Sequence, residues 1–361
     1  MFDIGELFSN SKQLVGLDIG SSSLKLSEIR ETSKGYILSN YSQIPIRKGI
    51  IAEGVLAEPQ ELSIKIKELF KQSSCRIKGI VTSLSGHSAI VKKVTLANMN
   101  EEELRVQIND EASKYLPFDS MEDVNFDFQI LGGSDFNPNQ MDVLIVAAKK
   151  DIIESYTSAI VKAGLDPIIM DVDSFALETM YEKNYDFEED DVTVIVNIGA
   201  SITNINVLKS SMSIFTRDFA MGGDAVTESI RNKLGLSFED AEKAKVEGIG
   251  TVDKDETADQ LGGDILAFAE PICLEIERSV DYFKSTYGGG DIKLVLLSGG
   301  GAKIPGIVFE LTQRLNIDTE IINPFKKIGY DKKVIDAETI ESIGPVAAVS
   351  VGLALRKLGD K

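Results

Sequence analysis

Apolar positions along this chain change period several times, and each change marks an element. In Leu14–Ile29, LVGLDIGSSSLKLSEI, an apolar run meets Asp18-Ile19-Gly20-Ser21-Ser22-Ser23, and alternation resumes at Leu24, Leu26 and Ile29. Period-two segments on both sides of a glycine-serine cluster predict strand, tight turn, strand. The same shape returns at Val192–Leu208, VTVIVNIGASITNINVL. There Gly199 aligns with Gly20, Asn197 with Asp18, Ile198 with Ile19 and Ser201 with Ser22. Two copies in one frame, 179 residues apart, predict an internal duplication. A third glycine turn, Ser298-Gly299-Gly300-Gly301-Ala302, follows an apolar strand at Lys293–Leu297 and leads through Pro305 into a helix.

Helical spacing governs other stretches. Glu101–Leu116 sets Leu104, Ile108, Ala112 and Leu116 on one stripe, and Pro117 ends it. Val124, Phe126, Phe128 and Ile130 then alternate with polar residues, and Val143–Ala147 returns after a polar turn. Gly86 to Lys150 therefore reads as a compact αββ insertion. Ile168–Tyr181 and Ser342–Leu358 read as two long helices, the second rich in Gly, Ala and Val and so able to pack closely. Gly222-Gly223-Asp224 makes a further turn before a helix at Ala225–Leu234.

Composition narrows the function. A length of 361 residues suits two domains. With 57 acidic and 38 basic side chains the formal charge is −19. That balance argues against reading nucleic-acid phosphates, which needs basic faces, and against adhesion to an anionic lipid surface. Two cysteines, Cys75 and Cys273, and one histidine, His87, are too few for a disulfide framework or a zinc site, and a Ser-His-Asp site would have to use His87, near which nothing suggests one. The first 13 residues carry no apolar leader, and the uncharged stretch Val192–Leu208 is broken by Asn and Ser. These features suggest a cytoplasmic protein with no direct membrane insertion, in which Ser342–Leu355 is a buried helix. No Gly-Lys dipeptide occurs, so there is no Walker A loop, and Ile304 prevents Gly299–Gly301 from completing G-x-G-x-x-G.

The three turns in this order resemble the actin, Hsp70 and sugar-kinase superfamily. Longer segments narrow the resemblance to its FtsA/PilM branch, and within it to the PilM family of type IV pilus assembly: VGLDIGSSSLKL at the start, ELRVQINDEASKYLPFDSMEDVNFDFQIL at 103–131, DVLIVAAKKDIIESY at 142–156, AGLDPIIMDVDSFALE at 163–178 and EIERSVDYF at 275–283. This resemblance implies an α/β, actin-like ATPase fold: two duplicated RNase H-like domains around a nucleotide cleft, with an FtsA-type subdomain inserted in the first. Residues 1–85, 151–181 and 336–361 would form domain 1 (subdomain 1A). Residues 86–150 would form the insertion (1C), and 182–335 domain 2, with 2B at about 220–290.

For the site, the resemblance implies ATP or ADP with Mg²⁺. Gly20, Ser21, Ser22 and Ser23 would face phosphate in the first turn, and Asn197, Gly199, Ala200, Ser201 and Thr203 in the second. Asp18 would hold Mg²⁺ and Lys25 would neutralise phosphate, unless Lys25 is only a solvated strand residue. Gly222, Gly223, Gly299, Gly300 and Gly301 would line the cleft. Glu275, Arg278 and Ser279 share a helix face and match adenosine-contacting positions, although an ordinary surface ion pair has the same spacing. Asp173, with Asp171 second, fits the water-polarising carboxylate; both equally suit helix N-caps. Asn197 stands where the superfamily usually has Asp, which implies weakened Mg²⁺ handling and slow or absent turnover that Asn197→Asp would raise.

The implied partner is the N-terminal tail of an inner-membrane, PilN-like pilus protein, held in the groove between 1A and 1C. Cytoplasmic pilus motor ATPases and self-association are further contacts the resemblance admits. An FtsA-like filament-forming ATPase of cell division and a small-molecule kinase of the same superfamily are the alternatives. Glu101–Asp142 holds 11 acidic and two basic residues, so basic groups on the tail are expected to meet the insertion.

Overall fold

Each glycine-turn strand pair becomes the centre of a sheet. The computed structural model describes residues 13–52, 54–134, 137–247, 265–287, 291–332 and 335–360. The stretch 1–12, on which the expectation of no apolar leader falls, and the His87 side chain lie outside the described residues. In the first sheet β1 (Leu14–Ile19), β2 (Ser23–Thr32) and β3 (Gly35–Pro45) run antiparallel. A two-residue hairpin, β4 (Ile51–Ala52) and β5 (Val55–Leu56), follows. Strands β6 (Gly79–Leu84) and β10 (Asp166–Val172) then add in parallel on the far side of β1. In the second sheet β11 (Val192–Ile198), β12 (Thr203–Lys209) and β13 (Met212–Phe219) run antiparallel, and β14 (Ile292–Ser298) and β15 (Thr319–Ile321) add in parallel. The strand orders, β10-β6-β1-β2-β3 and β13-β12-β11-β14-β15, are the same plan twice. The first sheet gains one edge strand, β16 (Gly329–Tyr330), beside β3. The chain thus rejoins the first sheet at Gly329, ahead of the return expected at residue 336.

Helices α1 (Pro59–Ser73) and α3 (Lys150–Lys162) pack against the first sheet through Leu62, Ile66, Leu69, Ala159 and Ile160. The second sheet carries α5 (Gly223–Leu234), α6 (Phe238–Glu247), α7 (Ile265–Tyr287) and α8 (Ile307–Leu315). Between the sheets lie α4 (Asp173–Asn184) and α9 (Ala337–Leu355), whose core joins Leu38 and Val81 of one sheet to Ile195 and Leu296 of the other. Among the described residues α9 alone is long and apolar enough to cross a membrane, but 61% of that stretch is buried inside the protein. Its closeness to its neighbours depends on glycine: a Cβ on Gly352 would sit 1.8 Å from the Ala176 carbonyl oxygen of α4.

Two element readings change. Ile168–Val172 is strand, not helix; this apolar run after Pro167 pairs with β6, and α4 begins only at Asp173. The insertion is βαββ, because β7 (Ala89–Ala97) precedes α2 (Glu101–Tyr115), β8 (Val124–Gly133) and β9 (Gln140–Lys149) in a sheet ordered β7-β9-β8. Asn100 and Glu103 close a reciprocal cap on α2, and its stripe of Leu104, Ile108 and Ala112 packs on Val94, Val143 and Ile145.

Candidate functional site

Three turns meet at the seam between the two sheets, around a cavity of about 610 Å³. The first joins β1 to β2, and Gly20 N–H donates to the Ser23 carbonyl at 3.2 Å. In the second, between β11 and β12, Gly199 N–H makes the same bond to Ile202 at 2.9 Å. The turns touch: Ser201 Oγ donates to Ser21 Oγ at 2.8 Å. The third turn adopts a left-handed backbone at Gly299 (φ +83°), where a Cβ would lie 2.3 Å from the Ile198 carbonyl oxygen. Around Gly300 no atom of the described residues lies within 4 Å of where a Cβ would be, so this backbone faces open space in the cleft.

Charges converge on the same space. Lys25 Nζ donates to Asp18 Oδ2 at 3.0 Å. Asp173, at the first position of α4, accepts from Ser83 Oγ at 2.5 Å. Burial pushes its carboxyl up to about 8; the Asp18 charge adds to this, the Ser83 hydrogen bond opposes it, and Asp218 adds a little more. From the second half, Lys245 Nζ donates to Glu242 at 2.6 Å, Thr227 at 2.9 Å and the Gly223 carbonyl at 3.2 Å.

Asp18, Gly20, Ser21, Ser22, Ser23, Lys25, Asp173, Asn197, Gly199, Ala200, Ser201, Gly223, Gly299, Gly300 and Gly301 all line this cavity. The remaining expected residues do not. Gly222 packs under the second turn, where a Cβ would lie 2.4 Å from the Gly199 carbonyl oxygen. Thr203 is buried and donates to the Met221 carbonyl at 2.7 Å. Glu275 binds Arg278 at 2.6 Å and Arg217 at 3.7 Å, while Ser279 donates to the Glu275 carbonyl. Glu275 and Arg278 make a helix-surface ion pair and Ser279 is buried under the same helix, all three outside the cavity lining. Asp171 also lies outside it, held by Arg356 Nε at 2.6 Å. It belongs to a strand and Asp173 to a helix, so a two-residue spacing does not keep them on one face.

Lys48, Thr227, Glu242 and Lys245 escaped the sequence reading. The i,i+3 pair of Glu242 and Lys245, one helix beyond the Gly222-Gly223-Asp224 turn, was the available signal, hidden among ordinary surface charges.

A second cavity, of about 460 Å³, opens between the insertion and the first sheet. Phe126, Phe128, Val146, Met170 and Phe175 give it apolar walls, and the Asp171–Arg356 pair and Glu178 give it a polar floor. Among the described residues no group of three or more His, Cys, Asp or Glu side chains is placed to hold a metal.

A duplicated β-sheet pair with glycine turns facing across one cleft defines the actin-like ATPase fold. A family profile described as type IV pilus assembly protein PilM matches residues 16–358, and the chain belongs to that family. A solved PilM-PilN type IV pilus biogenesis complex is 29% identical, covers 96% of this chain and 98% of its own, and superposes with a TM-score of 0.83. Cell division protein FtsA of Enterococcus hirae is 23% identical over 342 residues, 83% of this chain and 76% of that protein. FtsA of Enterococcus faecalis is 25% identical over 199 residues, 49% of this chain and 43% of that protein, so this match spans less than half of the relative.

Proposed function

We propose that this chain is a nucleotide-binding adaptor of type IV pilus assembly, with ATP or ADP and Mg²⁺ in the inter-sheet cleft and a PilN-like tail in the groove beside the insertion. The observation that carries the reading is the pair of cavities in a chain built, over almost its whole length, like the PilM of a PilM-PilN complex.

The donor set fits a nucleoside phosphate. Two serine-bearing turns line one space, Lys25 and Lys245 supply positive charge, and the Gly300 backbone leaves room for a flat group. It also fits Mg²⁺ held mostly through its own water, since Asp18 is the fixed carboxylate of the first turn and among the described residues no carboxylate cage surrounds it. Bound Mg²⁺ would neutralise phosphate charge. Lys25 holds Asp18 in place, and burial raises the proton affinity of Asp173 beside it. Slow or absent turnover is part of this reading and rests on Asn197, whose amide brings no negative charge to the cleft where an aspartate would. The groove suits an extended apolar peptide, with the Asp171–Arg356 pair available to orient a polar group.

Thermal unfolding with ATP–Mg²⁺, with the PilN N-terminal peptide, and with both tests the reading. Each ligand should raise Tm by itself, since binding to the folded state alone stabilises it by mass action. Absence of any shift with millimolar nucleotide removes the cleft assignment, and absence of peptide binding in titration removes the adaptor role.

A further inference from the structure

The internal repeat carries an asymmetry. In the first sheet the register sets Asp18 opposite Lys25 and Lys25 opposite Gln43. The corresponding row of the second sheet is Asn197, Asn204 and Asp218. Residues directly opposite share a face, so each row is three side chains across three strands. The carboxylate lies on the central strand in the first row and on the outer strand in the second.

Hydrogen-bond polarity ties the second row together. An ionised carboxylate only accepts hydrogen bonds. Asp218 acts on Asp173 as a negative charge, and its Oδ1 accepts the Asn204 amide N–H at 2.9 Å. That leaves Asn204 Oδ1 facing Asn197, and Asn197 Nδ2 donates to it at 3.2 Å. Both amides are more than nine-tenths buried while bordering the cleft, so their bonds within the row fix how each amide is turned. The carbonyl end of Asn197 is turned toward the third turn, 2.8 Å from where a Gly299 Cβ would lie.

We infer that Asp218 is a positioning residue of the cleft: through Asn204 it fixes which end of the Asn197 amide faces the ligand space, so that a carboxylate at 218 requires an amide at 197. The inference rests on the nucleotide reading of the cleft. A fixed neutral acceptor at Asn197 suits the water shell of a phosphate-bound cation, where a freely turning amide would offer donor and acceptor equally. Asn197→Asp alone would set a carboxylate against Asn204 Oδ1, two acceptors in a buried row. Raised turnover is therefore not the outcome of that single substitution. In the double variant Asn197→Asp with Asp218→Asn, Asn204 turns over and every bond of the row is restored with reversed polarity.

The test titrates a fluorescent ADP analogue into the full chain in excess Mg²⁺ and in EDTA; the ratio of affinities is the cation's contribution. Asp218→Asn and Asn197→Asp are each expected to lower that ratio about tenfold, as lost outer-shell partners do. The double variant is expected to return to within about threefold of wild type, the mark of coupled rather than additive sites. Thermal unfolding without nucleotide should show the same pattern, with two lowered Tm values and one restored. Should Asn197→Asp fail to fold alone, its recovery with Asp218→Asn is the expected rescue. An additive loss in the double variant, or an unchanged ratio in Asp218→Asn, overturns the inference. So does rescue of Tm without rescue of the ratio, which would leave Asp218 a packing role only. Wild-type protein that binds no nucleotide in either buffer would remove the nucleotide reading, and with it the cation role. The unfolding cycle would still report the polarity of the row.

Discussion

Asp173 keeps its proton to about pH 8 because burial disfavours its charged form, with the Asp18 charge reinforcing the effect. Glu178 is pushed up to about 7, again by burial, despite accepting the Ser213 backbone N–H at 3.0 Å. Both groups release their protons at lower pH in the unfolded chain, so between the two pKa values the folded state holds the extra protons and stability falls as pH rises. The contribution is complete below pH 4 and is lost through pH 7 to 8. Tm measured from pH 5 to 9 should decline more steeply in wild type than in Asp173→Asn or Glu178→Gln; parallel curves would show that neither carboxyl is held this way. Residue identity was legible in the sequence where a turn imposes it. Gly20, Gly199 and Gly299 stand beside a turn signature, and Asp18 and Lys25 face each other by strand register alone. Lys245 was not legible, because one lysine in a charged helix looks like any other until the fold aims it at the Gly223 carbonyl. Asp171 misled because its two-residue distance from Asp173 spans the junction of β10 and α4.

Elements were readable in proportion to the strength of their period. The stripe of α2 and the strand pairs flanking the first two turns repeat over many residues and agree with the structure. β7 escaped because Lys92 and Lys93 interrupt its alternation, and β16 has only two residues, too few for any pattern. The small residues of α9 announced close packing, and the structure says against what. Gly352 meets the α4 backbone, and Gly16 of β1 meets α9, where its Cβ would lie 2.2 Å from the Ser350 carbonyl oxygen. Neither neighbour is a flexible side-chain tip. Gly352→Val should therefore cost about 3 kcal/mol in denaturant unfolding, at the upper end of core overpacking. A variant within 0.5 kcal/mol of wild type, the range of surface changes, would mean that α4 and α9 separate easily. The Asp171–Arg356 pair joins β10 to the end of α9 beside the groove. Arg356→Leu leaves a buried carboxylate unpaired, and a loss of about 3–5 kcal/mol is expected at neutral pH. That loss should shrink toward pH 4 as Asp171 takes up a proton, an uptake that its burial already favours.

At the scale of the molecule, the charge excess and the closure of the cleft meet in one side chain. Lys48 extends from the loop after β3, in the first half. It reaches Glu228 at 3.1 Å and Asp224 at 3.7 Å on α5 of the second, with its ammonium 4.4 Å from the Phe238 ring centroid. With the hydroxyl contact of Ser21 and Ser201, these bonds bridge the two rims of the cleft. Lys48 is 57% exposed, so the bridge is worth about 0.2–1 kcal/mol, as exposed ion pairs are. That is too little to hold the fold together. On the proposed nucleotide reading it is enough to bias an opening that would let nucleotide leave, because a bond broken only on opening adds its full worth to the barrier. Lys48→Ala should speed nucleotide dissociation about 1.4- to fivefold, the factor that about 0.2–1 kcal/mol gives, with little change in Tm. Raising salt from 50 to 500 mM should speed release from wild type and leave the variant almost unaffected, since screening removes only what the variant already lacks. Stopped-flow release of a fluorescent nucleotide measures both. Equal rates in wild type and Lys48→Ala at low salt would mean that the halves part elsewhere before nucleotide leaves, and that the Lys48 bridge does not gate the cleft.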